Sequence, residues 1–450
     1  MYETWHLLAN DQYEDESLKQ SNQSEGVGFL VGAITGSFLV RLSGAATGVM
    51  LGFFLAELHR SGVGQSSARA VGLLSAAFYV SELFGAPVVG FLIDRRGFRP
   101  FLLAGPAFGI AAEVLFAGPG HLAVLTVARL LQGLTTACTI PAALAFLSDA
   151  TAKNPGSRGR IMGLFEVASI GGLAAGYVVA GVLWEGLHRS GFWILASIYA
   201  FAVAIFVVVK SGQRERVGRP ISESFAAIRQ VSGLAPAWLA VNAAAGLWFG
   251  QAAYQFRGAH AMLHQQLTNP MPVRDIGIVF GVYTLLFAMG TIAWGWALAR
   301  VQIGVALRIG AVGLVATAGA IVGVNHADEI GTWATPTFIV LAIVAMAGQT
   351  AFTPAALTLL AGRSDSVQYG RGAIMGVYSM LLAGGQLIGS ILGAYVADPW
   401  GIDGMIGATI VLGLVALVTL PPMVSTNGEN LGNSQGTFTQ VGTQGVVNPT

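Results

Sequence analysis

Charge is what this 450-residue chain has least of: 10% of its residues are Asp, Glu, Lys or Arg, against 54% hydrophobic. A soluble domain carries about 25% charged residues, so long windows here lack the polar faces a soluble enzyme needs, and the chain reads as a membrane protein. Cysteine is nearly absent as well. Cys138 stands alone in an apolar run, which excludes an intrachain disulfide, and no Cys/His cluster suggests a metal site. A Gly-x-x-x-x-Gly-Lys phosphate loop is missing, which argues against an ATP-driven pump. The first 27 residues lack the basic start of a cleavable leader. They are acid-rich instead (Glu3, Asp11, Glu14, Asp15, Glu16, Glu25) and read as a cytoplasmic tail. Finally, no acid lies deep in an apolar run between 235 and 423; Asp275, Asp328, Glu329, Asp365, Asp398 and Asp403 all fall near run ends.

What the chain does have is apolar runs of spanning length. A membrane helix needs ~20 apolar residues, and twelve windows qualify: 28–57, 71–93, 100–118, 121–148, 160–184, 191–210, 235–256, 275–298, 305–324, 331–361, 372–397 and 403–423. Basic residues set the orientation. With the amino terminus inside, cytoplasmic segments hold sixteen Lys and Arg and outer segments five. This predicts an all-α polytopic protein with both termini cytoplasmic, set in a bacterial inner membrane. The basic connection 211–234 reads as a linker between a first half, 28–210, and a second, 235–423. The remainder, 424–450, is a polar tail without periodicity, which suits disorder.

The halves repeat. Pro141-Ala142-Ala143-Leu144 recurs 213 positions later as Pro354-Ala355-Ala356-Leu357. At the same offset Arg158-Gly159-Arg160-Ile161-Met162-Gly163 matches Arg371-Gly372-Ala373-Ile374-Met375-Gly376, Gly171-Gly172 matches Gly384-Gly385, and Gly176 matches Gly389. Both copies cross a basic loop and so share orientation, which requires an even number of spans between them. Six fits, giving two parallel six-helix halves.

Gly90 to Arg99 reads GFLIDRRGFR and lies between the second and third windows. Gly90 and Asp94 share a helix face, which would let a neighbouring backbone approach the carboxylate. Gly97 permits the reversal that follows, and Arg95, Arg96 and Arg99 suit phosphate headgroups. This Gly-x-x-x-Asp-Arg-x-Gly pattern resembles the loop signature between helices 2 and 3 of the major facilitator superfamily, with Phe98 where that family usually has a basic residue. Arg129-Leu130-Leu131-Gln132-Gly133 is similar to the family's helix 4 motif. The resemblance implies a twelve-helix secondary transporter working by alternating access, with helices 1, 2, 4, 5, 7, 8, 10 and 11 around a central cavity. It implies that the helix 4 arginine serves proton coupling. It also implies an inner gate, for which Gly90, Asp94, Arg95, Gly97, Arg99, Asp149 and Arg371 are the candidates, the bland alternative being ordinary helix-end charges. The glycine series of many antiporters is incomplete, since no proline accompanies Gly163, Gly171, Gly172, Gly176 and Gly181.

Charges inside a bilayer helix are costly and default to function. Arg129 stays charged and should face a cavity or an acid. At ~1.5 Å per residue, Glu82 lies ~16 Å, Arg129 ~12 Å and Glu113 ~8 Å from the outer ends of their helices, so either acid is within reach of the arginine. A carboxyl in a partly dry cavity can load and release protons near neutral pH. That role is assigned first to Glu82, with Glu113 as a structural partner; permanent pairing is the alternative for both. Arg41 and Glu166 read as a pair across adjacent helices, or as contacts for an anionic solute. On the seventh window Trp248, Gln251 and Gln255 share a face with Tyr254 beside them. With Gln349, Thr353 and Gln386 they suit a solute with an apolar body and polar groups, or simple interhelical hydrogen bonding.

The reading is a monomeric, non-enzymatic carrier of a small organic solute, most simply a proton-coupled exporter, whose partners are the solute, protons and the bilayer. It needs no cofactor and binds no nucleic acid. Two alternatives stand beside it: a proton-independent facilitator, and a non-transporting membrane scaffold on the same fold.

Overall fold

The structure is a computed structural model that describes residues 2–62, 67–118, 120–151, 155–208, 233–259, 261–365 and 371–420, without the side chains of 2–27, 94, 149, 155–159, 360–365 and 371–379. Helices α1 (Tyr2–Arg60), α2 (Ala68–Arg96), α3 (Arg99–Ala117), α4 (Leu122–Ala150), α5 (Pro155–Leu187) and α6 (Gly191–Val208) form the first half. The second consists of α7 (Ala235–Gln255), α8 (Val273–Ala297), α9 (Ile303–Asn325), α10 (Ala334–Gln349), α11 (Phe352–Asp365) and α12 (Arg371–Thr419).

Nine windows among the described residues are long and apolar enough to cross a membrane. Two of them, Arg160–Val208 and Met380–Thr419, each contain a break: the 3-10 turn His188–Ser190 and Gly401, at φ 56° and ψ −134°. The shorter α7 packs along α12 and α1 in the same bundle. The tenth predicted window is two helices, α10 and α11, broken at Thr350 and Ala351 just before Pro354, whose ring cannot continue a helix. With these breaks the chain makes twelve helical passes among the described residues, as the apolar windows predict. The apolar part of α1 begins at Gly28.

The repeated glycines explain how the passes assemble. A Cβ on Gly172 would meet the backbone of Phe38 and Leu42, and one on Gly176 the Leu42 carbonyl, so α5 lies in backbone contact with α1. Their repeats do the same on the other side. Gly385 meets Leu239 and Ala243, and Gly389 meets Ala243, so the first arm of α12 lies against α7. The α1 contacts and the α7 contacts are themselves offset by a constant 201 positions, which sets Asn242 where the first half has Arg41. Small residues give this approach in a bilayer, where packing rather than hydrophobicity joins helices. The helix pairs α2–α4, α3–α4, α3–α6 and α1–α6 complete the first half; α9–α10 and α9–α12 answer in the second.

The halves meet at one end. There Gln251 Nε2 donates to the Ala68 carbonyl at 2.8 Å, Arg69 pairs with Asp398 at 3.2 Å, and Gly72 leaves room for the Ser390 carbonyl and Ala394. On the opposite flank Gly277 receives the Tyr177 carbonyl of α5, and Gly181 receives Val273 and Arg274 of α8. Toward the other end, which carries Gly90 and Arg99, a Cβ on Gly90, Gly163 or Gly295 would meet nothing within 4 Å. The contacts of Gln251, Arg69 and Gly72 between the halves all lie at the first end, and α4 shows no comparable packing on α11 or α12 among the described residues, so a crevice between the halves opens toward the other end. This corrects the expectation for Gly90: no backbone approaches it here. Arg95 is exposed with its guanidinium 4.0 Å over Phe91, Gly97 makes its turn at φ 82°, and Arg99 donates to the Val207 carbonyl at 3.2 Å. The side chains of Asp94, Asp149 and Arg371 lie outside the described residues.

The seal predicts its own failure. A leucine at Gly72 has no room against Ser390 and Ala394 and should force the sealed end apart. Because Cys138 is buried, a cysteine introduced at Ser75, itself 5% exposed in this seam, reports the change. Its maleimide labelling should rise about ten-fold or more in the Gly72→Leu variant, the response of a shift of ~1.4 kcal/mol between the two states.

Candidate functional site

Charge enters the crevice from the first half. Arg41 of α1 stands within electrostatic reach of both Glu82 on α2 and Glu166 on α5. None of the three has a hydrogen-bond or ion-pair partner among the described residues, and the Arg41 Nε is buried and unpaired. The expected Arg41–Glu166 pair is thus an open group of three, with one cation facing two acids. Gly172 holds Arg41 in place, since α5 packs directly on the Arg41 Cβ. Asn242, the second-half counterpart, spends its amide on the Trp238 carbonyl at 2.9 Å and adds no charge.

Three tyrosines that the sequence reading passed over complete the chamber. Tyr177 of α5 lies within electrostatic reach of Tyr79 on α2, Tyr283 on α8 and Arg41, and Tyr79 in turn of Glu82. Around them, Tyr177 stacks on Phe249 with centroids 5.9 Å apart, Phe280 lies 5.5 Å from Tyr177, and Tyr283 meets Phe249 edge-on at 6.2 Å. The side chain of Gln349 lies beside the Tyr283 hydroxyl and keeps a buried, unpaired Oε1. The chamber therefore draws on α1, α2, α5, α7, α8 and α10, just inside the sealed end.

A second polar group lies behind it, within the first half. Gly133, in the Arg-Leu-Leu-Gln-Gly motif, gives α2 room to bring the Phe78 carbonyl against α4, and Ser81 Oγ donates to the Leu130 carbonyl at 2.7 Å. That approach fixes Arg129 beneath α2. Its Nε donates to the Leu74 carbonyl at 3.4 Å, its Nη1 to Gln132 Oε1, and its guanidinium covers the Phe78 ring at 5.2 Å. Gln132 continues to the Gly44 carbonyl of α1 at 3.3 Å. Glu113, wholly buried on α3, shares a hydrogen bond with Thr47 of α1 and lies within reach of Arg129 and Tyr199. Of the two acids within reach by depth, Arg129 thus has Glu113 for its neighbour, while Glu82 turns to Arg41.

Apart from Gln349, the second-half candidates are placed elsewhere. Gln251 and Gln255 are wholly buried; Gln251 belongs to the seal, and Gln255 donates to the Ala397 carbonyl at 3.4 Å. Neither meets the crevice, because α7 turns that face toward α2 and α12. Trp248 Nε1 donates to Thr409 Oγ1 at 2.9 Å, within its own half. Gln386 packs its backbone against Gly246. Outside the sealed end, the 256–272 connection binds the Gly401 turn through Gln265, whose Oε1 accepts from Ile402 N at 2.9 Å. Arg257 donates there to the Met271 carbonyl at 2.9 Å.

Twelve apolar helical passes in two packed halves define a polytopic membrane protein. A family model of the Major Facilitator Superfamily matches residues 33–360, and the chain belongs to that family. Over 160 residues it is 29% identical to Multidrug resistance protein 1 of Bacillus subtilis (strain 168), covering 36% of this chain and 39% of that protein. Over 148 residues it is 30% identical to the Synaptic vesicular amine transporter of Homo sapiens, covering 31% and 28%. The chain thus matches only between 28% and 39% of the length of these curated relatives. The solved nucleoside transporter NupG shares the fold at a TM-score of 0.64 and 14% identity, over 86% of this chain and 97% of that one.

Proposed function

We propose that the protein is a secondary transporter that exports a small, positively charged organic solute in exchange for protons, by alternating access. The observation that carries this reading is the open group of Arg41, Glu82 and Glu166, gathered within the first half and without ion-pair partners among the described residues. Two carboxylates around one guanidinium leave room for a second cation, and the aromatic walls at Tyr177 and Phe249 suit its apolar body through cation–π and stacking contacts. The relatives named for multidrug resistance and amine transport agree with such a solute. The basic residues place the open end in the cytoplasm, so this state receives solute from inside. Asp94, Asp149 and Arg371 would close that end in the alternate state, with Gly90, Arg95, Gly97 and Arg99 shaping the gate.

The test is purified protein in liposomes under an imposed pH gradient, screened against cationic, anionic and neutral solutes. Cation flux that follows the pH gradient supports the proposal. Flux that ignores pH favours a proton-independent facilitator, and no flux with any solute favours a scaffold. Within the first outcome, Glu82→Gln should weaken binding of the transported cation about ten-fold or more, the equivalent of ~1.4 kcal/mol, measured by titration calorimetry in detergent. Unchanged affinity would remove Glu82 from the site.

A further inference from the structure

Thr47 is engaged twice with one hydrogen. Its Oγ1 lies 2.7 Å from the Ser43 carbonyl and also within hydrogen-bond distance of Glu113 Oε1. A hydroxyl supplies a single hydrogen, and a peptide carbonyl supplies none. Two oxygen contacts of this kind in series need a second hydrogen, and the carboxyl is the group that can carry it. We infer that Glu113 is a neutral carboxylic acid in this state, its Oε1–H donating to Thr47, which donates onward to the Ser43 carbonyl.

The surroundings agree. Glu113 is 0% exposed, and its Oε2 is buried without a hydrogen-bond partner. A carboxylate oxygen left so would carry a large desolvation cost, whereas the carbonyl oxygen of a neutral acid carries much less. Arg129 could neutralise a carboxylate, yet no ion pair joins them among the described residues. The guanidinium directs its hydrogens to Leu74 and Gln132 instead. The charged and titratable groups within reach of Glu113 from the packed helices are Arg129 on α4 and Tyr199 on α6, with Thr47 on α1. Arg41 of α1 also lies within reach of Tyr199, so the cluster borders two cations, of which Arg129 is the one within reach of Glu113 itself and the counterforce ready beside its proton.

Resting on the exchange reading above, this makes Glu113 the occluded proton carrier, separate from the solute chamber at Glu82. The step is a simple proton transfer. When Arg129 leaves Gln132 for Glu113, the Oε1–H bond breaks, the proton passes to water, and the carboxylate formed pairs with the guanidinium. The Thr47 hydrogen then turns to the carboxylate. No electrons are gained or lost.

Two measurements test the inference on the full-length protein in detergent. Infrared difference spectra should show the carbonyl stretch of a protonated carboxylic acid in the parent that is missing in Glu113→Gln. The glutamine side chain can make the same donation to Thr47, so folding should survive. Should that variant fail to fold, Thr47→Val reports instead, by moving the stretch to the position of an acid with no hydrogen-bond acceptor. A parent band that neither substitution alters overturns the assignment. Proton release on adding the transported cation, followed with a pH dye, should fall about ten-fold or more in Glu113→Gln, the loss of one coupled site, while cation affinity holds. Equal release from both proteins removes Glu113 as the carrier. A band that vanishes in Glu113→Gln, in a parent that releases no protons with any solute, keeps the neutral acid and sinks the exchange reading alone.

Discussion

Replacing Arg129 with Ala should reduce pH-driven solute flux about 100-fold while leaving the protein folded. The guanidinium makes two hydrogen bonds to neutral acceptors, the Leu74 carbonyl and Gln132, and each bond from a charged donor contributes ~1.5 kcal/mol. Together they amount to ~3 kcal/mol, or about two orders of magnitude in rate, if both are exchanged for Glu113 during the proton step. The cost to folding should be smaller than for an ordinary buried ion pair. Removing one partner of such a pair strands the other charge and costs ~3–5 kcal/mol, but a neutral Glu113 is not stranded. Flux under an imposed gradient and thermal unfolding of the same preparation separate the two effects. A variant that loses flux only in proportion to lost fold would mark Arg129 as a brace between α2 and α4. Arg129→Lys offers the contrasting case. It keeps the charge but not the planar fork that reaches two acceptors at once, so it should recover part of the flux and little of its pH dependence.

The packing of this protein is written more plainly in its sequence than its chemistry. Twelve apolar runs and a fixed repeat offset specify the passes and the two halves, because spanning length and backbone contact at glycine are local demands that each run meets by itself. The chamber is not local. Tyr79 lies three residues before Glu82 and so on the same helix face, which is a signal that an aromatic so placed serves the acid. Tyr177 and Tyr283 carry no such mark, since a lone tyrosine in an apolar run also suits the membrane interface. Gln251 and Gln255 show a different limit. Their spacing puts them on one face, as expected, but spacing does not say which neighbour that face meets. The crossing of α7 with α2 and α12 decides it: the Gln251 amide goes to the seal and the Gln255 amide to the Ala397 carbonyl of α12. Arg41 shows the limit of depth alone: it comes within electrostatic reach of Glu166, as expected, but of Glu82 as well.

That distinction gives a packing prediction with opposite signs at glycines five positions apart on the same helix. Alanine at Gly176 or Gly389 should destabilise the protein by ~1–3 kcal/mol, the usual cost of forcing atoms into a packed contact. At Gly389 the new methyl would lie 2.6 Å from the Ala243 carbonyl carbon and 2.8 Å from its Cα, with the carbonyl oxygen nearer still. Backbone cannot swing aside as a side chain can, so α12 must back away from α7 along the seam that Gly246 also lines. Gly176 imposes the same on α5 against α1, where the Leu42 carbonyl and the Ala45 methyl await it. The neighbouring repeat pair should behave differently. A methyl on Gly171 would find only the Phe38 ring at 3.8 Å, and one on Gly384 only Leu239 at 3.5 Å, both ordinary contact distances. There the gain from replacing glycine inside a helix, ~0.5–1 kcal/mol, should dominate, and Gly171→Ala and Gly384→Ala should raise the unfolding temperature. Four single variants unfolded in the same detergent decide the matter. Equal losses at all four positions would mean that the repeated glycines serve flexibility along their helices and not the approach of α1 to α5 and α7 to α12.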